Sequence, residues 1–265
     1  MWLNEDAPLQ KQDFNLAQPF VNTAGSLGFC PDLQSIPYLP RLGAFITNPI
    51  SRYSRSPARS RTCLPYEGGF LLHTGLPNPG ISRVIRQHKH CWAGSLVPVI
   101  LHLLVETPET LEEMVRKIEG LENIMAVELG LPADCEPHHL QAFMDAALGE
   151  LPVVVCLDPQ QVCKLGDAIP DGQCAALHLV QPRGCLPSRT GEIVSGRLSG
   201  PGNFPVMLYM ARQMIERGVP LIVDGDAIHP WQVKALQESG VSAIGLGGVL
   251  WQTDTNVIFQ LFDQT

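Results

Sequence analysis

Short, almost purely apolar runs alternate along this chain with longer stretches in which apolar residues recur every three or four positions. The runs Phe20–Thr23, Ala44–Thr47, Pro98–Leu103, Ala126–Leu131, Pro152–Leu157, Ala175–Val180, Leu221–Val223 and Ala243–Leu246 read as strands. Most are rich in Val, Ile and Leu without polar alternation, the pattern of parallel strands covered on both faces. Helical signals lie between them. Thr107-Pro108 followed by Thr110-x-x-Glu113 gives an N-cap or capping box with a proline in the first turn. Leu111, Met114, Ile118 and Leu121 then follow at helical spacing, with Gly120 near the end. Asn203-Phe204-Pro205 opens another stretch, with Val206, Met210, Met214 and Ile215 predicted on one face and Gly218 as the stop. Pro230–Gly240 repeats the arrangement before the last strand.

Eight such strands, mostly separated by helices, match a (β/α)8 TIM barrel, for which ~250 residues is typical. An open doubly wound sheet shows the same alternation and stays an alternative at this point. No linker or low-complexity segment divides the chain, so residues 1–265 read as a single TIM-barrel domain. The Pro-, Gly- and Arg-rich stretch Pro49–Leu96 is expected to pass over the C-terminal face of the barrel, where active sites lie.

Composition removes several classes. With 45% hydrophobic and 17% charged residues the chain is not intrinsically disordered. Lys+Arg 18 against Asp+Glu 26 leaves a net charge of −8, which argues against a general nucleic-acid binder. No run reaches the roughly 18 apolar residues of a membrane span. The N-terminus, Met1-Trp2-Leu3-Asn4-Glu5-Asp6, is acidic and has no apolar signal core, so a soluble cytoplasmic protein is expected. Cys30, Cys63, Cys91, Cys135, Cys156, Cys163, Cys174 and Cys185 are scattered without a CxxC and read as reduced thiols. His88-x-His90-Cys91 and Cys135-x-x-His138-His139 come nearest to metal-ligand spacing but have no second pair nearby, so no metal is expected. Arg52, Arg55, Arg59 and Arg61 form either a solvated loop or a site for a phosphate or an acidic substrate. His178 either points into a barrel mouth or is a satisfied core histidine.

The glycine-rich pieces are more specific. Asp224-Gly225-Asp226 follows the seventh predicted strand, and Gly245-Leu246-Gly247-Gly248 ends the eighth. Backbone N–H groups in such loops can form an anion nest. Taken with Asn22-Thr23-Ala24-Gly25, Gly43–Asn48, Gly75–Gly80, Ala126–Gly130, Pro152–Pro159 and Gly196–Pro201, they resemble the dihydroorotate dehydrogenase family of FMN-dependent barrels. The order holds from about Pro19 to Trp251. The resemblance implies FMN held by Ala24, Gly25, Asn48, Cys156, Gly200, Gly225, Asp226, Gly247 and Gly248. It further implies a substrate held by Leu72, Gly130 and Gln181, a small-molecule reaction in pyrimidine metabolism, and a homodimer.

Several of these positions depart from the family pattern. Asn48 and Cys156 stand where the family places lysines, which removes two charges that would stabilise reduced flavin. Leu72 and Gly130 replace asparagines and cannot hydrogen-bond through their side chains, whereas Gln181 can from a longer reach. Asp226 stands at a family glycine, where an ionised carboxylate repels a phosphate unless it points away. The family base is matched by Cys135 only if two residues are inserted; Asp134 and His138 are other proton acceptors in the same loop. Three functions follow: an FMN-dependent oxidoreductase with an altered substrate pocket, a catalytically lapsed barrel acting as a binding or subunit protein, and a non-flavin barrel enzyme acting on a phosphorylated metabolite.

Overall fold

A computed structural model describes residues 14–59, 63–169, 172–251 and 255–263. In chain order the elements are β1 (Phe20–Asn22), β2 (Phe45–Ile46), β3 (Cys63–Tyr66), β4 (Gly69–Leu72), α1 (Ile81–Ala93), β5 (Val99–Leu104), α2 (Pro108–Ile118), β6 (Ile124–Gly130), α3 (Pro137–Ala147) and β7 (Val153–Leu157). They continue with α4 (Pro159–Leu165), β8 (Ala176–Leu179), β9 (Arg183–Pro187), β10 (Ile193–Ser199), α5 (Phe204–Ile215), β11 (Leu221–Val223), α6 (Pro230–Glu238), β12 (Ala243–Leu246) and α7 (Thr255–Phe262).

Eight strands form one parallel sheet in the order β1-β12-β11-β8-β7-β6-β5-β2. A bridge between Val21 and Ala44 joins its two edges. The Asn22 side chain reinforces that seam, accepting from Ile46 N at 2.8 Å and donating to Ile46 O at 2.6 Å. A sheet closed on itself, wrapped by helices, is a (β/α)8 TIM barrel, and the open-sheet alternative is removed. All eight barrel strands coincide with apolar runs in the sequence.

The helices start where local chemistry satisfies their free N–H groups. Thr107 caps α2 and forms a capping box with Thr110, with Pro108 in the first turn. Asp158 does the same for α4 with Gln161. On α5 the buried face is Phe204, Met207, Ala211 and Met214. The predicted face is therefore rotated: Met214 is buried as expected, but Val206 is exposed and Phe204, Met207 and Ala211 complete the buried stripe at spacings of three and four.

Two features were not expected. The Pro49–Leu96 stretch carries the hairpin β3–β4 as well as α1, and the hairpin joins β9 and β10 in a four-stranded antiparallel sheet, order β3-β4-β10-β9. Cys30 and Cys91 form a disulfide with Cα atoms 6.1 Å apart, which corrects the reading of all eight cysteines as free thiols. No helix among the described residues is long and apolar enough to cross a membrane. The acidic N-terminal hexapeptide and Arg61 lie outside the described residues.

Candidate functional site at the mouth of the barrel

Alternate residues of each barrel strand face inward. The lowest layer is apolar and includes Val21, Ile46, Ile100, Ala126, Val154, Ala176 and Ile222. One step of two residues toward the strand ends, the interior turns polar: His102, Glu128, Cys156, His178 and Asp224, all buried. Glu128 is the hub. Its Oε2 lies 2.5 Å from His102 Nδ1 and its Oε1 lies 2.5 Å from His178 Nδ1. Burial alone would raise this carboxyl, but the His178 charge and the hydrogen bonds from both imidazoles outweigh it and hold the group well below the usual carboxylate range. Both rings then donate through Nδ1, which leaves His102 Nε2 facing Gly130 and His178 Nε2 without a hydrogen-bond partner among the described residues.

Above this layer lies a cavity of about 530 Å³, walled by the strand ends, by Ala24 and Gly25, by Leu72, Ser195 and Arg197 of the antiparallel sheet, and by His73 just beyond β4. A volume of this size suits a small organic ligand. Three arginines line it. Arg55 pairs with Glu106 at 3.3 Å, and Arg183 pairs with the buried Asp158 at 2.7 Å. Arg197 sits directly across the sheet from Arg183, yet among the described residues it has no carboxylate within ion-pair distance. Its Nη1 donates to Gln181 O at 2.8 Å, and its other N–H groups remain for a ligand.

The loops after β11 and β12 meet at one side of the mouth, and there the anion is the protein's own. Asp226 Oδ2 accepts from Gly200 N at 3.0 Å and Asn203 Nδ2 at 2.7 Å. Its Oδ1 accepts from Ser199 Oγ at 3.1 Å and Gln181 Nε2 at 3.3 Å. Asp224 lies behind it, accepting from Thr23 Oγ1 at 2.6 Å. Burial, followed by the charge of Asp226, pushes Asp224 up to about 7. Burial also raises Asp226, but four donors draw it back toward the charged form, so the first negative charge of the pair rests there. A Cβ on Gly247 would collide with Asp224 Oδ2, and one on Gly248 would collide with Asp226 Oδ1. These glycines therefore make room for carboxylates of the same chain.

The fit of FMN follows from this arrangement. Its phosphate would face an ionised carboxylate where the family has a glycine. At ~4 Å and an effective dielectric of about 20, each such pair of charges costs about 4 kcal/mol. Gly200 N and the side chains of Ser199, Asn203 and Gln181, the donors gathered at that place, are engaged by Asp226. The residues present do not fit a flavin phosphate, and a phosphorylated metabolite meets the same carboxylate.

The other predicted residues divide in two. Ala24, Gly25, Leu72, Gly130, Cys156, Gln181, Gly247 and Gly248 do line the cavity. Cys156 is buried, and burial followed by the Glu128 charge pushes its thiol up, which makes it a poor nucleophile. Asn48 instead accepts from Gly28 N at 3.0 Å and ties down the β1 loop. Gly225 faces Leu236 and Phe204 of the helix layer. Gly200 is in a left-handed conformation, φ 152°, where a Cβ would strike Gly68 O. Cys135 is buried in the core rather than in the cavity wall, with its thiol likewise raised by burial, while Asp134 on the loop and His138 in the first turn of α3 are exposed outside. Cys135 is thus not placed to act as a base on a ligand in the mouth.

Among metal candidates, Cys91 is in the disulfide and His88 stacks on Phe29, so that motif does not gather. His102, Glu128 and Cys156 offer ligand atoms within 4.8 Å of one another, but both Glu128 oxygens are already engaged by imidazoles. The arginine run is spread out: Arg52 pairs with Glu113, and only Arg55 of its described members reaches the cavity. Glu128 and His102 escaped the sequence reading, as did Arg197, whereas His178, singled out in the sequence, is buried against Glu128. A lone charge amid the apolar run Met125–Leu129 was the available signal, since such a residue must find a buried partner.

No protein-family model matches the chain. It is similar to the protein named dihydroorotate dehydrogenase B (NAD(+)), catalytic subunit, of Fusobacterium nucleatum, 23% identical over 92% of this chain and 88% of that one. The protein of the same name from Pelobacter propionicus is 25% identical over 92% of this chain and 88% of its own length. In structure, the dihydroorotate dehydrogenase of Eimeria tenella in complex with ferulenol superposes with a TM-score of 0.71 at 12% identity, covering 93% of this chain and 80% of that one. The ligand-free form from the same organism gives 0.73 at 11% identity, covering 99% and 88%.

Proposed function

The chain is a divergent relative of the dihydroorotate dehydrogenases, and from that premise we propose that its barrel mouth binds a small planar organic acid of the orotate type. Relatives matched along nearly the whole chain support a dihydroorotate-dehydrogenase-like function in general terms. Arg197 carries the finer reading: a guanidinium in the cavity wall, beside a second guanidinium that is already paired, with N–H groups left over. Asp158 neutralises Arg183 and leaves Arg197, directly across the sheet, without a counter-ion among the described residues. A carboxylate in the cavity supplies that counter-ion and accepts two parallel N–H bonds. With Asn48 and Cys156 in place of lysines and Asp226 in the nest, the site is read as a lapsed flavin barrel that retains acid binding.

Orotate and uracil test this, because they share a ring and differ by the carboxylate. Calorimetric titration should show orotate binding tighter, and Arg197→Gln should weaken it by roughly 10- to 100-fold, the worth of one charged hydrogen bond. Equal affinities for orotate and uracil would sink the proposal. A second reading, an FMN-dependent oxidoreductase with an altered pocket, is favoured by likeness to catalytic subunits over about nine-tenths of the chain. It requires a yellow protein absorbing near ~450 nm that bleaches on reduction.

A further inference from the structure

(β/α)8 barrels frequently hold phosphate between the loops after their seventh and eighth strands. In this chain those loops follow β11 and β12, and the place between them is filled from within. Asp226 is nearly fully buried and takes hydrogen bonds from four groups: Gly200 N, Asn203 Nδ2, Ser199 Oγ and Gln181 Nε2. Two are neutral side chains on β10 and its following turn, one is a backbone N–H of the same turn, and one reaches in from the end of β8. These donors converge without a cation among them, and Gly200 N is a backbone N–H of the kind that holds a phosphate. Gly248 lacks the Cβ that would collide with the carboxylate, so the opposite loop is shaped around it too. The backbone of Asp226 is left-handed, φ 51°, a conformation glycine adopts freely.

We infer that Asp226 is a built-in anion occupying the phosphate cradle of the barrel, so that the mouth selects ligands lacking a phosphate. The carboxylate both fills the space and repels a second anion. It satisfies the donors permanently, so the cradle needs no ligand to be stable. The glycine at family position 226 and the aspartate here are then alternative solutions to one problem, with the anion supplied from outside or from within.

The test uses the whole chain, its Asp226→Gly variant, and three probes: inorganic phosphate, FMN and riboflavin. Removal of the carboxylate empties the cradle without straining the backbone. Wild-type protein should gain no thermal stability from phosphate beyond that given by chloride at equal ionic strength, and should not prefer FMN to riboflavin. Asp226→Gly should be stabilised by phosphate and should bind FMN at least about tenfold tighter than the wild type does, with riboflavin changed far less. A wild type that prefers FMN by about tenfold or is stabilised by phosphate overturns the inference. A folded Asp226→Gly protein that gains affinity for neither phosphate nor FMN overturns it as well. Should that variant fail to fold by circular dichroism, the wild-type measurements decide alone. The inference rests on the cradle and not on Arg197, so equal binding of orotate and uracil would remove the acid-binding proposal and leave this one standing.

Discussion

Glu128→Gln alters one atom type at the centre of the barrel and should be felt throughout the fold. In the wild type, a fully buried carboxylate accepts an Nδ1–H from His102 and another from His178, each at 2.5 Å. A glutamine keeps the shape but offers one acceptor and one donor group, so one imidazole must change tautomer or lose its bond. The other bond survives without charge assistance. Hydrogen bonds to charged groups are worth about 1.5–3 kcal/mol and neutral ones about 1, so the two losses together come to roughly 2–4 kcal/mol. For a chain of this size, that corresponds to a fall in Tm of about 5–15 °C. The pH dependence supplies the sharper check. The folded-state pKa of Glu128 is depressed, so its contribution is present above the ordinary carboxylate range and is lost as pH falls through the acid region. Urea unfolding of both proteins should show the full gap near neutrality and a shrinking gap below about pH 4.5. A gap under about 1 kcal/mol at neutrality, or one that does not change with pH, would refute the description of Glu128 as a charged hub.

Other outcomes follow from single features. The Cys30–Cys91 bridge closes a 61-residue separation, so its reduction, or Cys30→Ser, should lower stability by about 4 kcal/mol on the loop-entropy account; an unchanged melting curve under dithiothreitol would count against it. Alkylation by iodoacetamide near pH 8 should label Cys63, Cys163 and Cys185 quickly and spare the buried Cys135, Cys156 and Cys174, read by mass spectrometry; rapid labelling of Cys156 would contradict its burial and raised thiol. A Cβ at Gly130 would collide with His102 Nε2, so Gly130→Ala should displace that ring and cost on the order of 1–3 kcal/mol; a neutral substitution would mean the ring is free to move.

What could be read from the sequence was periodic or local. Eight apolar runs at βα spacing carried the barrel, and Thr107-Pro108 carried the start of α2, because strand burial and capping depend on neighbours along the chain. The glycines at 247 and 248 were visible as places of close approach, but not what approaches them. Asp226 was visible as a charge in the wrong place. Whether it pointed into the nest or away depended on Gly200, Asn203, Ser199 and Gln181, which lie 23 to 45 residues away in the chain.

Pairings across that kind of distance leave no mark in local propensity. The antiparallel sheet over the mouth was missed because its strands are short, half-exposed and joined across more than a hundred residues, so neither half reads as a buried strand alone. The sequence by itself determined eight buried parallel strands, through a hydrophobic period that any folded form of this chain must satisfy; that they close into a barrel was decided by the Val21–Ala44 seam between two strands distant in the sheet order. Tertiary structure alone decided the chemistry of the mouth. A buried charge is stable only where distant groups converge on it, and that convergence placed two histidines on Glu128, four donors on Asp226 and an open guanidinium at Arg197.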